Sequence, residues 1–199
     1  RYPMVAVISG RPVAFLAANL PASIQLSGLY GLEARRDGRR EVRSDAARWA
    51  DVVEGAVARF VAAAPEGALV EPKGLSLTVH YRNAPEAGPQ VEAVARRLAD
   101  ETGLELRPAK MSVELHPPVE ASKGTAVHEL AAGLGAVTFL GDDVGDLTAF
   151  DALDELAAEG VHAVRVAVRT EEAPAEMLDR ADVVLDGPDG AITPLRALL

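Results

Sequence analysis

Three aspartates crowd one short turn, in the run Gly141-Asp142-Asp143-Val-Gly-Asp146. Hard oxygen donors gathered this way suit Mg²⁺, which takes a few carboxylates and keeps its other positions for water and phosphate oxygens. The alternative use is helix capping, because Asp is favoured at a helix N-cap and in the first turn. One Asp fits capping; three within five residues point to a metal. Two other places carry groups that bind anions. Ser9-Gly10-Arg11 offers a hydroxyl and a guanidinium, both donors to a phosphate oxygen. Ser9 ahead of Pro12 reads equally as the cap of a Pro-initiated helix. Lys123 opens another helical stretch, where a cation opposes the helix dipole; an anion shared by the two would explain it, as would simple solvation.

The elements that must position these groups follow from periodicity. Ala136-Val-Thr-Phe-Leu140 is short, apolar and β-branched, the pattern of a buried parallel strand. Leu147, Phe150, Leu153 and Leu156 then mark one face of a helix. The aspartates therefore sit at the carboxyl end of a strand, where open α/β sheets hold their ligands. Met4 to Ile8 followed by Val13 to Leu20 repeats the arrangement around Ser9 and Arg11, and Ser122-Lys123-Gly124 heads a helix from Ala126 to Leu134. Val161 to Val168 and Asp182 to Leu185 are further strands.

The middle of the chain has another texture. Arg35 to Arg43 predicts a hairpin turning at Asp37-Gly38. Ala46 to Ala64 predicts one amphipathic helix, and Leu75 to Tyr81 alternates as a strand with one wet face. Gln90 to Thr102 is a second helix, and Leu104 to Pro108 pairs with Met111 to Leu115 across Ala109-Lys110. The fold class expected is thus α/β: a core, residues 1–28 and 117–199, interrupted by an α+β insertion, residues 29–116. His80, His128 and His162 lack a second ligand at metal spacing and read as structural.

The 199 residues, 49% hydrophobic and 25% charged, describe an ordinary globular chain large enough for a sizeable core. A net charge of −10 argues against general affinity for nucleic acid or anionic membranes. The absence of cysteine removes disulfide and thiol chemistry and fits a reducing, cytoplasmic compartment. No apolar run reaches spanning length, and the start lacks a signal-peptide pattern.

Ser9-Gly-Arg11, Lys123 and Gly141-Asp142-Asp143-x-x-Asp146, in that order, resemble three motifs of the haloacid-dehalogenase-type phosphatases. Gly28-Leu-Tyr-Gly31-Leu-Glu33, Glu71-Pro-Lys73, Val113-Glu114-Leu-His-Pro117 and Ser122-Lys123-Gly124 resemble the trehalose-6-phosphate phosphatases within them. The resemblance implies a Rossmann-like core of the haloacid-dehalogenase type, a mobile α+β cap over it and Mg²⁺-dependent hydrolysis of a small-molecule sugar phosphate through an aspartyl-phosphate. It assigns Ser9, Arg11 and Lys123 to the phosphoryl group and Asp142 to the metal. Asp143 and Asp146 belong to the metal site, holding its water or orienting its ligands, and Glu33, Glu71, Lys73 and Glu114 bind sugar hydroxyls. The Asp-x-Asp motif that opens the family does not occur in residues 1–199 and is expected on a strand upstream of Tyr2. The alternatives are an enzyme for another phosphorylated sugar, such as sucrose phosphate, and a silent sugar-phosphate-binding module beside a trehalose-phosphate synthase.

Overall fold

The computed structural model describes residues 2–197. Its first sheet begins with β1 (Ala6–Ile8), followed by helix α1 (Val13–Asn19), then β2 (Gln25–Gly28), β3 (Glu33–Arg36) and β4 (Arg39–Val42) in the order β1-β2-β3-β4. β1 and β2 are parallel, while β3 and β4 return antiparallel around Asp37-Gly38 as the dipeptide predicts. The hairpin thus extends the sheet of β1 and β2 across the expected joint at Leu29.

The expected single helix over 46–64 is two helices. α2 (Ser44–Ala47) ends in one turn, and α3 (Ala50–Ala63) starts after Trp49. Neither Gly nor Pro marks the break. Trp49 packs against two separate hydrophobic clusters, one around Phe60 and one around Leu29, so the chain bends there to serve both.

A second sheet, all antiparallel, holds β5 (Leu69–Pro72), β6 (Leu77–His80), β7 (Glu105–Ala109) and β8 (Ser112–His116) in the order β5-β6-β8-β7, with α4 (Gly88–Thr102) between β6 and β7. The β7–β8 register pairs Ala109 with Ser112, so the turn is Lys110-Met111, one residue later than expected. Leu77, Val79, Val113 and Leu115 point to α3 and α4 and bury with Val53, Phe60, Val91 and Leu98. Burying each such side chain contributes about 1.5–3 kcal/mol, which is what seats two helices on one face of this sheet.

The opposite face departs from expectation. Glu71 pairs with Thr78, Thr78 with Glu114, and Glu114 with Arg107, so one polar row runs across all four strands. Alternation reads such a face as wet, yet Ser76, Thr78, Ser112, Glu114 and His116 on it are buried. The cover is the other part of the molecule: Arg11 reaches Glu71, and the Tyr30 ring lies against His116.

The rest of the chain is α5 (Lys123–Ala131), β9 (Ala136–Gly141), α6 (Leu147–Ala158), β10 (His162–Arg169), α7 (Ala175–Arg180), β11 (Val183–Asp186) and α8 (Gly187–Ala197). The strands are parallel in the order β11-β10-β9. β9 is not the buried strand its composition predicts, because Ala136 and Thr138 are exposed and the strand ends its sheet. One helix pair covers both open ends: Val127 and Ala131 of α5 and Ala152 and Leu153 of α6 pack with Ile8 of β1 and with Val137 and Phe139 of β9. The helices approach closely at Gly124, where a Cβ would stand 2.3 Å from the Thr148 carbonyl oxygen. That contact fixes the start of α5 beside the turn after β9. Among the described residues, no helix is long and apolar enough to cross a membrane.

Candidate active site

The turn after β9 folds on its own aspartates. Asp143 caps it, accepting from Asp146 N at 3.1 Å. Asp146, 3% exposed, turns back to accept from Asp142 N at 2.9 Å and Asp143 N at 3.1 Å. Capping and metal binding, posed as alternatives by the sequence, therefore divide among the three. Asp146 and Asp143 are tied into the turn, and Asp142 is exposed. One carboxylate oxygen from each lies within 4.8 Å of the others. Burial, with the like charges of Asp143 and Asp146, raises the Asp142 pKa. A divalent cation relieves such crowding and prefers these hard oxygens, so the residues fit Mg²⁺.

Lys123 reaches this turn from the start of α5. Ser122 and Thr125 form a reciprocal capping box, which leaves Lys123 as the first helical residue. Its Nζ donates to Asp146 Oδ1 at 2.5 Å and to Asp143 Oδ1 at 3.3 Å. Burial opposes the ammonium charge, but Asp146 and Asp143 outweigh it and raise the pKa, so Lys123 stays charged. A surface lysine would show none of this.

Ser9 does not cap α1. Pro12 is the residue before that helix, and no side chain caps it there. Instead Ser9 Oγ accepts from Arg11 N at 3.1 Å, which leaves its O–H free to donate outward. Glu33 does the holding: its buried carboxylate accepts from Val13 N at 2.6 Å and from Arg40 Nε at 2.7 Å. The family resemblance placed Glu33 with the sugar-binding carboxylates; in the fold its two oxygens are engaged by the start of α1 and by Arg40 of β4.

The polar face of the antiparallel sheet carries the remaining group. Glu114 accepts from Ser76 Oγ at 2.7 Å and lies 3.7 Å from Lys73 Nζ. Glu71 accepts from His80 Nε2 at 2.7 Å and from Arg11 Nη1 at 3.3 Å. Partial burial works to raise the Glu71 pKa, but His80, Lys73 and Arg11 prevail and hold it below the usual carboxylate range. Arg11 stacks over the Phe15 ring, 5.1 Å from its centroid. The structure thus joins Lys123 with Asp143 and Asp146, Lys73 with Glu114, and Arg11 with Glu71.

Sequence reasoning missed Ser76, which donates to Glu114, and the contact of His80 with Glu71, which the β5–β6 register sets. Given the register, the row Glu71, Thr78, Glu114, Arg107 follows from counting. Thr78 Oγ1 and His116 Nε2 are buried on that face without a hydrogen-bond partner.

Known proteins resemble this chain in sequence and in fold. A trehalose-phosphate phosphatase from Mycolicibacterium paratuberculosis is 33% identical over 170 residues, or 79% of this chain and 43% of that protein. The chain therefore spans less than half of that curated relative. Among solved structures, a trehalose-6-phosphate phosphatase from Aspergillus fumigatus superposes with a TM-score of 0.61 at 25% identity, over 98% of this chain and 76% of that one. A trehalose-6-phosphate phosphatase related protein gives 0.78 at 20% identity over 94% and 77%. The fold is accordingly the haloacid-dehalogenase-type α/β fold. The model of the trehalose-phosphatase family matches residues 1–183, so the chain, with Lys123 drawn into its acidic turn, belongs to that family.

Proposed function

We propose that this chain forms the phosphoryl- and sugar-binding parts of a Mg²⁺-dependent phosphatase that converts trehalose 6-phosphate to trehalose and phosphate. The observation that carries the reading is the contact of Arg11 with Glu71 at 3.3 Å, which brings the Ser9–Arg11 turn under the sheet face bearing Lys73 and Glu114. In this reading residues 1–28 and 117–199 form the catalytic core. The lobe within residues 29–116 forms a cap, with the β3–β4 hairpin on the core side of the joint.

Hydrolysis of a phosphate ester depends chiefly on positioning and on neutralising charge at the phosphoryl oxygens. The free Ser9 O–H donates to one such oxygen. The charged Lys123, held by Asp146 and Asp143, neutralises another, and Arg11 contacts the phosphate end. Asp142 would ligate Mg²⁺ directly, while Asp143 and Asp146 orient it and its water. The cation would supply further positive charge against the phosphoryl group. Glu71, Lys73 and Glu114 bind sugar hydroxyls, since a carboxylate accepts from two hydroxyls and losing a partner in a closed site is costly.

In this reading the nucleophile is the first aspartate of the family's Asp-x-Asp motif, which residues 1–199 do not contain. It attacks phosphorus in line as the ester bond to trehalose breaks, the motif's second aspartate protonates the leaving sugar oxygen, and water then cleaves the aspartyl-phosphate to free aspartate and phosphate. Support for the added strand comes from β1 and β9, which end their sheets and share one helix cover at Ile8, Val137 and Phe139. A strand between them would make one continuous sheet.

The test is phosphate release from trehalose 6-phosphate and from sucrose phosphate by the full-length protein with Mg²⁺. Preference for the former, lost in Asp142→Ala, is expected. Preference for the latter would change the substrate, and inactivity on both would favour a silent binding module.

A further inference from the structure

Tyr30 lies in the short turn between β2 and β3, in backbone that side chains seldom adopt. Its φ is 59° and ψ 25°, after Leu29 with φ 51° and before Gly31 with φ 101°. Two consecutive side-chain-bearing residues in the left-handed region persist only where surrounding contacts hold them. Here Leu29 N donates to Arg11 O and Tyr30 N to Ser9 O, each at 3.1 Å, which fastens the turn to the phosphate-facing residues. Leu29 itself is fully buried and anchors the turn from the other side.

This backbone throws the phenol across Gly10. A Cβ on Gly10 would stand 2.6 Å from the Tyr30 hydroxyl and 2.7 Å from its Cζ, so only glycine lets the ring lie there. The ring then leans on His116 with centroids 6.3 Å apart. Burial, followed by the charges of Glu114, Asp143 and Asp146, pushes the phenol up to about 12, so it stays a neutral donor. Carboxylates of the sheet face and of the acidic turn thus both bear on one hydroxyl. Tyr81 donates to Glu92 at 3.5 Å, but the Tyr30 hydroxyl donates to no described residue.

We propose that Tyr30 is a substrate-binding residue whose hydroxyl donates to the sugar oxygens next to the phosphoester, so that sugar and phosphate are gripped as one ligand. The proposal rests on the reading of the site above and adds to it a residue that spans the two ends. A neutral donor suits the place, because a cation would compete with Lys123 and a carboxylate would repel the phosphate.

The experiment compares Tyr30→Phe with the unaltered full-length protein on trehalose 6-phosphate and on 4-nitrophenyl phosphate, which has no sugar. The variant keeps the ring and its contact with His116, and an unchanged melting temperature checks that. Loss of one neutral hydrogen bond should lower kcat/KM for the sugar phosphate about 5- to 10-fold, mostly through KM, and leave the aryl ester within about twofold. Equal losses on both esters, or none on either, would overturn the role of Tyr30 while leaving the phosphatase reading intact. An unaltered protein active on the aryl ester but not on trehalose 6-phosphate would overturn the substrate and this proposal together.

Discussion

Arg11 Nη1 and Glu71 Oε1 meet at 3.3 Å and tie the turn after β1 to the first strand of the antiparallel sheet. Both side chains remain partly open to water, at 56% and 29% exposure, and such pairs contribute only about 0–1 kcal/mol. The contact orients the two parts without locking them, which suits the proposed function, in which the lobe opens for substrate. Urea denaturation of Arg11→Gln should therefore show a stability loss below about 1 kcal/mol, smaller still in high salt. A loss of several kcal/mol would make the pair a clamp and count against a moving lobe.

The acidic turn makes a separate prediction. Asp142 is largely exposed, yet its partial desolvation in the turn and the charges of Asp143 and Asp146 oppose its ionisation, so its charge is a burden until a cation arrives. Ligand binding to the folded state alone stabilises by mass action. Millimolar Mg²⁺ should raise the melting temperature, and EDTA should reverse the rise. Asp142→Asn should abolish the response, while its metal-free melting temperature stays equal to or slightly above that of the unaltered protein. A full Mg²⁺ response in the variant would remove Asp142 from the metal site.

Where the sequence could be read and where it could not has a physical pattern. The Asp37-Gly38 hairpin and the Asp142–Asp146 turn were legible because the groups that shape them lie within a few residues. The break at Trp49 was not, since it answers to two clusters built from distant segments. Alternation correctly separated Thr78 and Glu114 from Val79 and Val113, but a period of two says only which residues share a face. What covers that face, here the turn bearing Arg11 and Tyr30, is tertiary. Glu33 shows the same limit: its spacing after Gly31 carried a family pattern, while its partners Val13 and Arg40 are visible only in the folded chain.

Glu33 can be tested on that point. Its carboxylate is 2% exposed and satisfies both the start of α1 and Arg40, so removing it leaves a buried N–H and a cation without their acceptor. Glu33→Ala should cost about 1–3 kcal/mol, the penalty of leaving the buried Val13 N–H unpaired, since the Arg40 side chain is 57% exposed and can turn to water. Glu33→Gln, which still accepts from Val13 N, should cost less. If Glu33 instead bound sugar, Glu33→Gln would weaken trehalose 6-phosphate selectively with stability unchanged; the expected result is the reverse, a stability loss with substrate preference retained.

His116 sets the pH dependence of the joint between β8 and the segment beginning at Pro117. It is fully buried, Nδ1 donates to the Pro117 carbonyl at 2.8 Å, and Nε2 has no hydrogen-bond partner among the described residues. Burial disfavours the imidazolium most, Arg107 adds to that, and the Pro117 carbonyl only partly offsets them, which brings the pKa down to about 4. The unfolded chain, near 6.5, binds the proton more readily, so stability is fully present above pH 6.5 and is lost as pH falls toward 4. Between pH 7 and pH 4.5 this one group should remove about 2–3 kcal/mol. His116→Gln has no proton to gain there, and its urea-denaturation free energy should fall by that much less over the same interval. Parallel pH profiles for the two proteins would mean that His116 is not the group being charged.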